Sequence, residues 1–376
     1  MRVREIHDDG RLKAVELVDE DGPVEVACRF LQYLSDRNFS PNTWRAYGYD
    51  LRYLFMFLEE QQLSWQEFMA PTAMDFLSFM RRQESRKSAQ RFGLTVIVGG
   101  EDGDRRLSPA TVHRVLAGVS SFYDWASAVG LYSAESPMER HEDLALARVP
   151  DRHQPFTGGA SRQRPMRRAV TVKRPLRLPR PLDDDLVEAL LTSMTCLRDL
   201  AVMLLMLDGG LRPGEVLSLH LQDISYGHRR VVVRKRDDHP RGARPKSRSE
   251  RVVDLQDPRT LEAVSRYVMG ERPVESDSPF VFLVGGNRKT RCEPLSYDAV
   301  ARMFARRMTA LGRRTPDTTP HALRHTHATA MWEGGMRELT LQKRLGHASP
   351  ESTRVYTRVS DETVLTEYAR ALESRR

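Results

Sequence analysis

Apolar residues in the first third of the chain recur at helical spacing. Ala27, Phe30, Leu31 and Leu34 mark one face of a helix over 24–34. Tyr47, Leu51, Leu54, Phe55 and Leu58 follow at steps of four, three, one and three. They follow Ser40-Pro41-Asn42-Thr43, where a serine caps the helix and a proline fits its first turn. A third helix is expected over Thr72–Arg82. Ser108-Pro109-Ala110-Thr111 repeats the start signal, and Val112, Leu116, Val119 and Tyr123 continue it. Residues 83–106, with Gly-Gly-Glu-Asp-Gly, read as a loop. Residues 23–140 therefore form a helical domain. Residues 1–22 alternate only loosely, predict one short strand over 11–17, and are set apart as an N-terminal extension.

The pattern changes after residue 140. Residues 141–180 read as a linker or extended arm, and Pro165, Pro175 and Pro179 disfavour a continuous helix there. From Pro181 a second domain begins, extending to about 360. Leu186, Leu190 and Leu191 mark a helix capped by Asp183 or Asp184, and Cys196–Leu207 a buried one. Arg229–Arg236 and Arg251–Leu255 pair as strands across a loop of about fourteen residues, and Pro279–Val284 is a further short strand. Helices follow over Tyr297–Thr309, Pro320–Trp332, Leu339–Leu345 and from Pro350. The fold class is mainly α, with a small antiparallel sheet in the second domain. Val364, Leu365, Tyr368 and Leu372 share a face of a tail helix over 361–376.

Composition narrows the partner. The 376 residues carry 59 Lys and Arg against 51 Asp and Glu, a net charge of +8. Such a surface suits a phosphate-rich partner. Between Arg162 and Arg180 stand eight Lys or Arg residues and no acid, a run suited to crossing a DNA backbone. Cys28, Cys196 and Cys292 are scattered, so neither a disulfide framework nor a thiolate zinc site is indicated. The first residues lack a signal-peptide core, and no run approaches 18 apolar residues. A cytoplasmic, nucleoid-associated protein is expected. Candidate DNA contacts are Thr43, Arg45, Thr111 and Arg114 near the two Ser-Pro helix starts. Arg167, Arg168, Lys173 and Arg174 in the basic run and Arg244 and Arg248 in the inter-strand loop complete them.

Six dispersed side chains assemble into a phosphoryl-transfer set. Arg212 follows Gly209-Gly210-Leu211, and Glu215 three residues on holds its guanidinium if both sit in one helical turn. Lys246 lies in the basic loop between the strands. His321 and Arg324 share a helix face at a spacing of three, and the same helix start turns amides toward an anion. His347 follows Leu345-Gly346, and Tyr356 lies nine residues further. His321, His325 and His327 raise a metal reading, but no carboxylate or thiolate set accompanies them, so no metal and no cofactor is expected. In this set Tyr356 attacks phosphorus and Arg212 and Arg324 hold the non-bridging oxygens. His321 and His347 donate to those oxygens or manage the nucleophile's proton, and Lys246 protonates the leaving oxygen.

The constellation resembles the tyrosine recombinases, the phage-integrase and Xer-like enzymes. The resemblance rests on Asp208-Gly209-Gly210-Leu211-Arg212-Pro213-Gly214-Glu215, the Lys246 loop, His321-Ala322-Leu323-Arg324-His325, and Leu345-Gly346-His347 with Tyr356. It covers residues 183–360 specifically and 24–140 more weakly. It implies a SAM-like helical core-binding domain before the catalytic domain, the two clamping duplex DNA. It also implies a tetramer on paired recombination sites, exchange through a Holliday junction, and a tail helix docking on a neighbouring protomer. Partner recombinases or accessory proteins fit the same picture, as does a monomer free in solution. The polar stretch at 83–106 and the long linker point to the integrase or transposase of a mobile element. Xer-like dimer resolution, a type IB topoisomerase-like relaxase and a non-catalytic DNA-binding protein are the rival outcomes.

Overall fold

In the computed structural model, the residues described are 1–8, 11–84, 106–138, 140–142, 166–168, 170, 172, 181–236, 238–243, 250–287, 289–315 and 318–346. The chain divides into two compact units, Met1–Leu176 and Arg177–Arg376. Both are mainly helical and carry small antiparallel sheets.

The first unit opens with a hairpin, β1 (Arg2–Asp8) against β2 (Arg11–Val18), with a register irregularity at Ile6/His7. Among the described residues four α-helices follow: α1 (Glu25–Asp36), α2 (Pro41–Glu60), α3 (Ala70–Arg82) and α4 (Pro109–Ala128). Residues 1–22 are not a separate extension, because Val15 and Leu17 are buried in the same core as Phe30, Leu54 and Phe122. A two-stranded hairpin is marginal alone and gains its stability from such packing. The core is aromatic, with Phe57, Phe68, Phe76, Phe122 and Tyr123 packed mainly edge-on or tilted. The Tyr123 and Tyr132 hydroxyls donate to the carbonyls of Trp65 (2.8 Å) and Phe68 (2.7 Å). The expected arm over 141–180 is also partly structured. β3 (Arg140–Glu142) pairs with β4 (Met166–Arg168), and Val170 is buried in the helical core.

In the second unit the Leu182 amide, just before the first helix, donates to the Thr326 hydroxyl at 2.8 Å. Among the described residues the unit's α-helices are α5 (Asp184–Thr192), α6 (Leu197–Leu207), α7 (Pro213–Leu217), α8 (Pro258–Gly270), α9 (Tyr297–Ala310), α10 (His321–Glu333) and α11 (Glu338–Leu345). The central α6 is almost wholly buried and packs on α8 and α10. The sheet has the order β5 (Ile224–Ser225), β6 (Arg230–Val233), β7 (Arg251–Asp254), all antiparallel. Around Phe280 and Leu283 there are isolated bridges to His220 and Pro294 in place of the expected strand. Helix α8 was not foreseen, although Asp257 caps it and Pro258 opens it.

Candidate active site

Arg212 and Glu215 meet because Arg-Pro-Gly-Glu is a helix start. Pro213 occupies the first position of α7, where its missing N–H costs nothing. Glu215 reaches back to accept from the Arg212 amide at 2.9 Å and from its Nη1 at 2.8 Å. The glycines before them have separate work. Gly210 takes φ +62°, and a Cβ there would lie 2.5 Å from the His327 ring.

Glu215 is buried and holds more than its near neighbour. Arg251, at the start of β7, donates to both carboxylate oxygens, Nη1 to Oε1 at 3.0 Å and Nη2 to Oε2 at 2.7 Å. The Nη1 of Arg324 stands 3.8 Å from Oε2. Burial alone would raise this carboxyl's pKa. The Arg251 hydrogen bonds and the charges of Arg251, Arg324 and Arg212 outweigh burial and hold it at about 2.

The same arginines meet the C-terminal end of α11. Arg324 donates through Nη1 to the Gly210 carbonyl and through Nη2 to that of Leu345 at 2.7 Å. Arg212 reaches the Leu345 and Gly346 carbonyls at 3.4 Å, and Arg251 Nε donates to that of Arg344 at 2.9 Å. Cationic groups at a helix C-terminus are favourable. Gly346 ends α11 in the left-handed region at φ +63°. From there the chain continues to His347.

His321 opens α10 and is exposed, one turn before Arg324, whose side chain is 3% exposed. At the start of α10 Pro320 holds the cap position without a side-chain bond, and the Thr319 carbonyl accepts from the Ala322 amide at 2.8 Å. The other two histidines are drawn inward. Burial and then the Arg324 charge lower the His325 pKa. His327 is pushed down to about 4, mainly by burial. Its neutral Nε2 accepts from Arg344 Nε at 3.1 Å, tying α10 to α11.

The structure thus brings together Arg212, Glu215 and Arg324, and places His321 on the same helix as Arg324. Lys246, His347 and Tyr356 lie outside the described residues. The described residues that flank the Lys246 loop are tied down on both sides. Buried Asp223 accepts from Arg234 and Arg236 before it, and Arg251 binds Glu215 after it. Sequence patterns do not single out Arg251 or Asp223, whose partners lie 36 and 11–13 residues away.

The proposed DNA contacts divide. The Ser40 and Ser108 hydroxyls accept from the Thr43 and Thr111 amides at 3.2 Å, so both caps form. Arg114 Nη1 reaches the Ala46 carbonyl at 3.4 Å, and a Cβ on Gly118 would lie 3.0 Å from that of Asp50. Ala46 and Arg114 are each six residues past their cap serines, Asp50 and Gly118 each ten. Helices α2 and α4 therefore run in the same direction, with both Ser-Pro starts at one end of the unit. Arg45 instead clasps Glu5 of the hairpin through Nε at 2.8 Å and Nη2 at 2.7 Å. Arg114 pairs with buried Asp50. Arg167 and Arg168 lie on β4, and Lys173, Arg174, Arg244 and Arg248 lie outside the described residues. No described helix is long and apolar enough to cross a membrane.

Comparison with known proteins covers both units. Residues 181–363 match the phage integrase family, and 27–96 match the phage integrase N-terminal SAM-like domain. Transposase A from transposon Tn554 of Staphylococcus aureus is 26% identical over 351 residues, covering 93% of this chain and 91% of that protein. Tyrosine recombinase XerC of Pelobacter propionicus is 32% identical over 235 residues, 61% of this chain and 71% of that protein. Among solved structures, the Tn1549 transposon integrase in complex with a circular intermediate DNA superimposes with a TM-score of 0.60 at 17% identity, covering 92% and 99% of the two chains. That likeness shows the shared fold. The chain belongs to the phage integrase family of tyrosine recombinases, enzymes that cleave and rejoin DNA at specific sites.

Proposed function

We propose that Tyr356 is the nucleophile and that the chain recombines the ends of a mobile DNA element. The Tyr356 oxygen attacks the scissile phosphorus, the bond to the 5′ oxygen breaks, and Lys246 gives that oxygen its proton. A 3′-phosphotyrosyl bond holds the strand until a 5′ hydroxyl attacks in the reverse sense. Arg212 and Arg324 bind the non-bridging oxygens, with His321 and His347 as further donors. A phenol with an ordinary pKa near 10 becomes a competent nucleophile beside such cations. The step uses neither a divalent metal nor ATP.

The observation that carries this proposal is the shared carboxylate. Residues 212 and 324, far apart in sequence, bring their guanidiniums to Glu215 and to one carbonyl, that of Leu345. Two forks fixed that closely suit one phosphate. On DNA we expect a homotetramer on paired sites, exchange through a Holliday junction, and the 361–376 tail docked on a neighbour. The near full-length alignment with transposase A supports an element-borne role, integration, excision or transposition, over dimer resolution.

The test uses nicked suicide DNA drawn from the flanks of the gene. The wild type should form a denaturation-resistant adduct in EDTA, and Tyr356→Phe should form none. An undiminished adduct in that variant overturns the nucleophile assignment, and a metal requirement overturns the mechanism.

A further inference from the structure

We propose that Arg251 is a positioning residue for strand cleavage, locking Glu215 and the last turn of α11 so that Arg212 and Arg324 face the same phosphate. This rests on the proposed roles of those two arginines.

All three of its nitrogens donate within the protein. Nη1 and Nη2 are spent on the two Glu215 oxygens and Nε on the Arg344 carbonyl, and the side chain is 7% exposed. Arg212, at 18%, is the more open of the two. Gly346 packs directly on the Arg251 guanidinium, since a Cβ there would lie 2.7 Å from Nη1. One side chain therefore fixes both the anion that holds Arg212 and the turn that leads to His347.

Charge and competition give the positioning its effect. Three guanidiniums and one carboxylate leave a local charge of two positives, which matches the charge of a pentavalent phosphorane. Arg251 also occupies the carboxylate. Without it, Glu215 Oε2 has one hydrogen bond left, from the Arg212 amide, and Arg324 stands 3.8 Å away. Arg324 is then drawn onto Glu215, away from the Leu345 carbonyl it shares with Arg212. Displacement of about 1 Å at a reacting centre costs on the order of a hundredfold in rate. A lysine keeps the charge but cannot span both Glu215 oxygens and the Arg344 carbonyl.

Single-turnover cleavage of suicide DNA by Arg251→Met and Arg251→Lys tests this, using a normal scissile phosphodiester and a methylphosphonate. The methylphosphonate replaces one charged non-bridging oxygen with a neutral methyl, so cleavage depends less on a well-aimed guanidinium pair. On the phosphodiester both variants should lose about a hundredfold relative to wild type, with DNA affinity changed less than about threefold. On the methylphosphonate the deficit should shrink at least tenfold. An equal deficit on both substrates, or none, overturns the inference, and Arg251→Lys gives the reading if Arg251→Met does not fold. Arg212→Ala run alongside separates the two claims. If it is not rescued, the arginine roles fail; if it is rescued and the Arg251 variants are not, the positioning role alone fails.

Discussion

A buried carboxylate meets arginine in each unit, Asp50 in the first and Glu215 in the second, and the two behave oppositely. Asp50 in the N-terminal unit lies beneath Gly118 and, among the described residues, has Arg114, whose side chain is 48% exposed, as its one ion-pair partner. Burial dominates there, offset in part by Arg114, and the carboxyl is pushed up to about 7. Glu215 in the catalytic unit is just as buried, yet the Arg251 hydrogen bonds and the charges of Arg251, Arg324 and Arg212 hold it at about 2. Burial raises the carboxyl in both places, and the number of fixed donors decides the sign of the net shift. A lone half-exposed arginine leaves a carboxyl that titrates near neutrality. A closed cluster leaves a permanent anion, which is what two phosphate-binding arginines need as a common anchor.

The largest test of that contrast is Glu215→Gln. Removing the charge strands three partly or fully buried guanidiniums, so stability should fall by about 3–5 kcal/mol, read by urea unfolding, and adduct formation should be lost. The pH dependence checks the sign. Glu215 has its folded pKa below the unfolded value, so its contribution is present above pH 4.5 and is lost as pH falls toward 2, about 3 kcal/mol in all. Glu215→Gln should lack this acid-induced loss. A variant as stable as wild type contradicts the cluster.

Gly346→Ala comes next. It forces a side chain into the left-handed region and toward the Arg251 guanidinium. We expect a loss of about 1–3 kcal/mol and a drop in cleavage of at least about tenfold. Cleavage at the wild-type rate would mean that the α11 turn does not govern the arginines.

The legibility of these features in the sequence follows contact range. The caps at Ser40 and Ser108 and the Arg212–Glu215 turn are local, and spacing alone foretells them. The hairpin over 2–18 was mostly missed, because Val3 and Ile6 alternate weakly and the burial of Val15 and Leu17 depends on helices formed later in the chain. Pairing of β3 with β4 inside a proline-containing basic stretch is equally non-local. The carboxylate partners of Arg45, Arg114 and Arg251 stand 40, 64 and 36 residues away. No periodicity in the chain announces them, so cations expected at DNA proved to be tied to carboxylates, and the third arginine of the cluster went unmarked.

Asp50→Asn carries the smallest effect. The folded pKa of Asp50 lies above its unfolded value, so its contribution is fully present below pH 3.8 and is lost as pH rises through about 7. At pH 8 the asparagine should match or exceed wild-type stability by about 1 kcal/mol, and at pH 5 it should gain nothing. Melting temperature against pH for both proteins reads this; identical profiles would show that Asp50 does not titrate in this range.

The measurement closest to the centre is the site of attachment itself. After reaction with suicide DNA in EDTA, nuclease trimming and trypsin digestion, mass spectrometry should find a nucleotide on the peptide Val355–Arg358, bonded through Tyr356. A nucleotide on any other residue, or an adduct that forms only with a divalent metal, would contradict the mechanism.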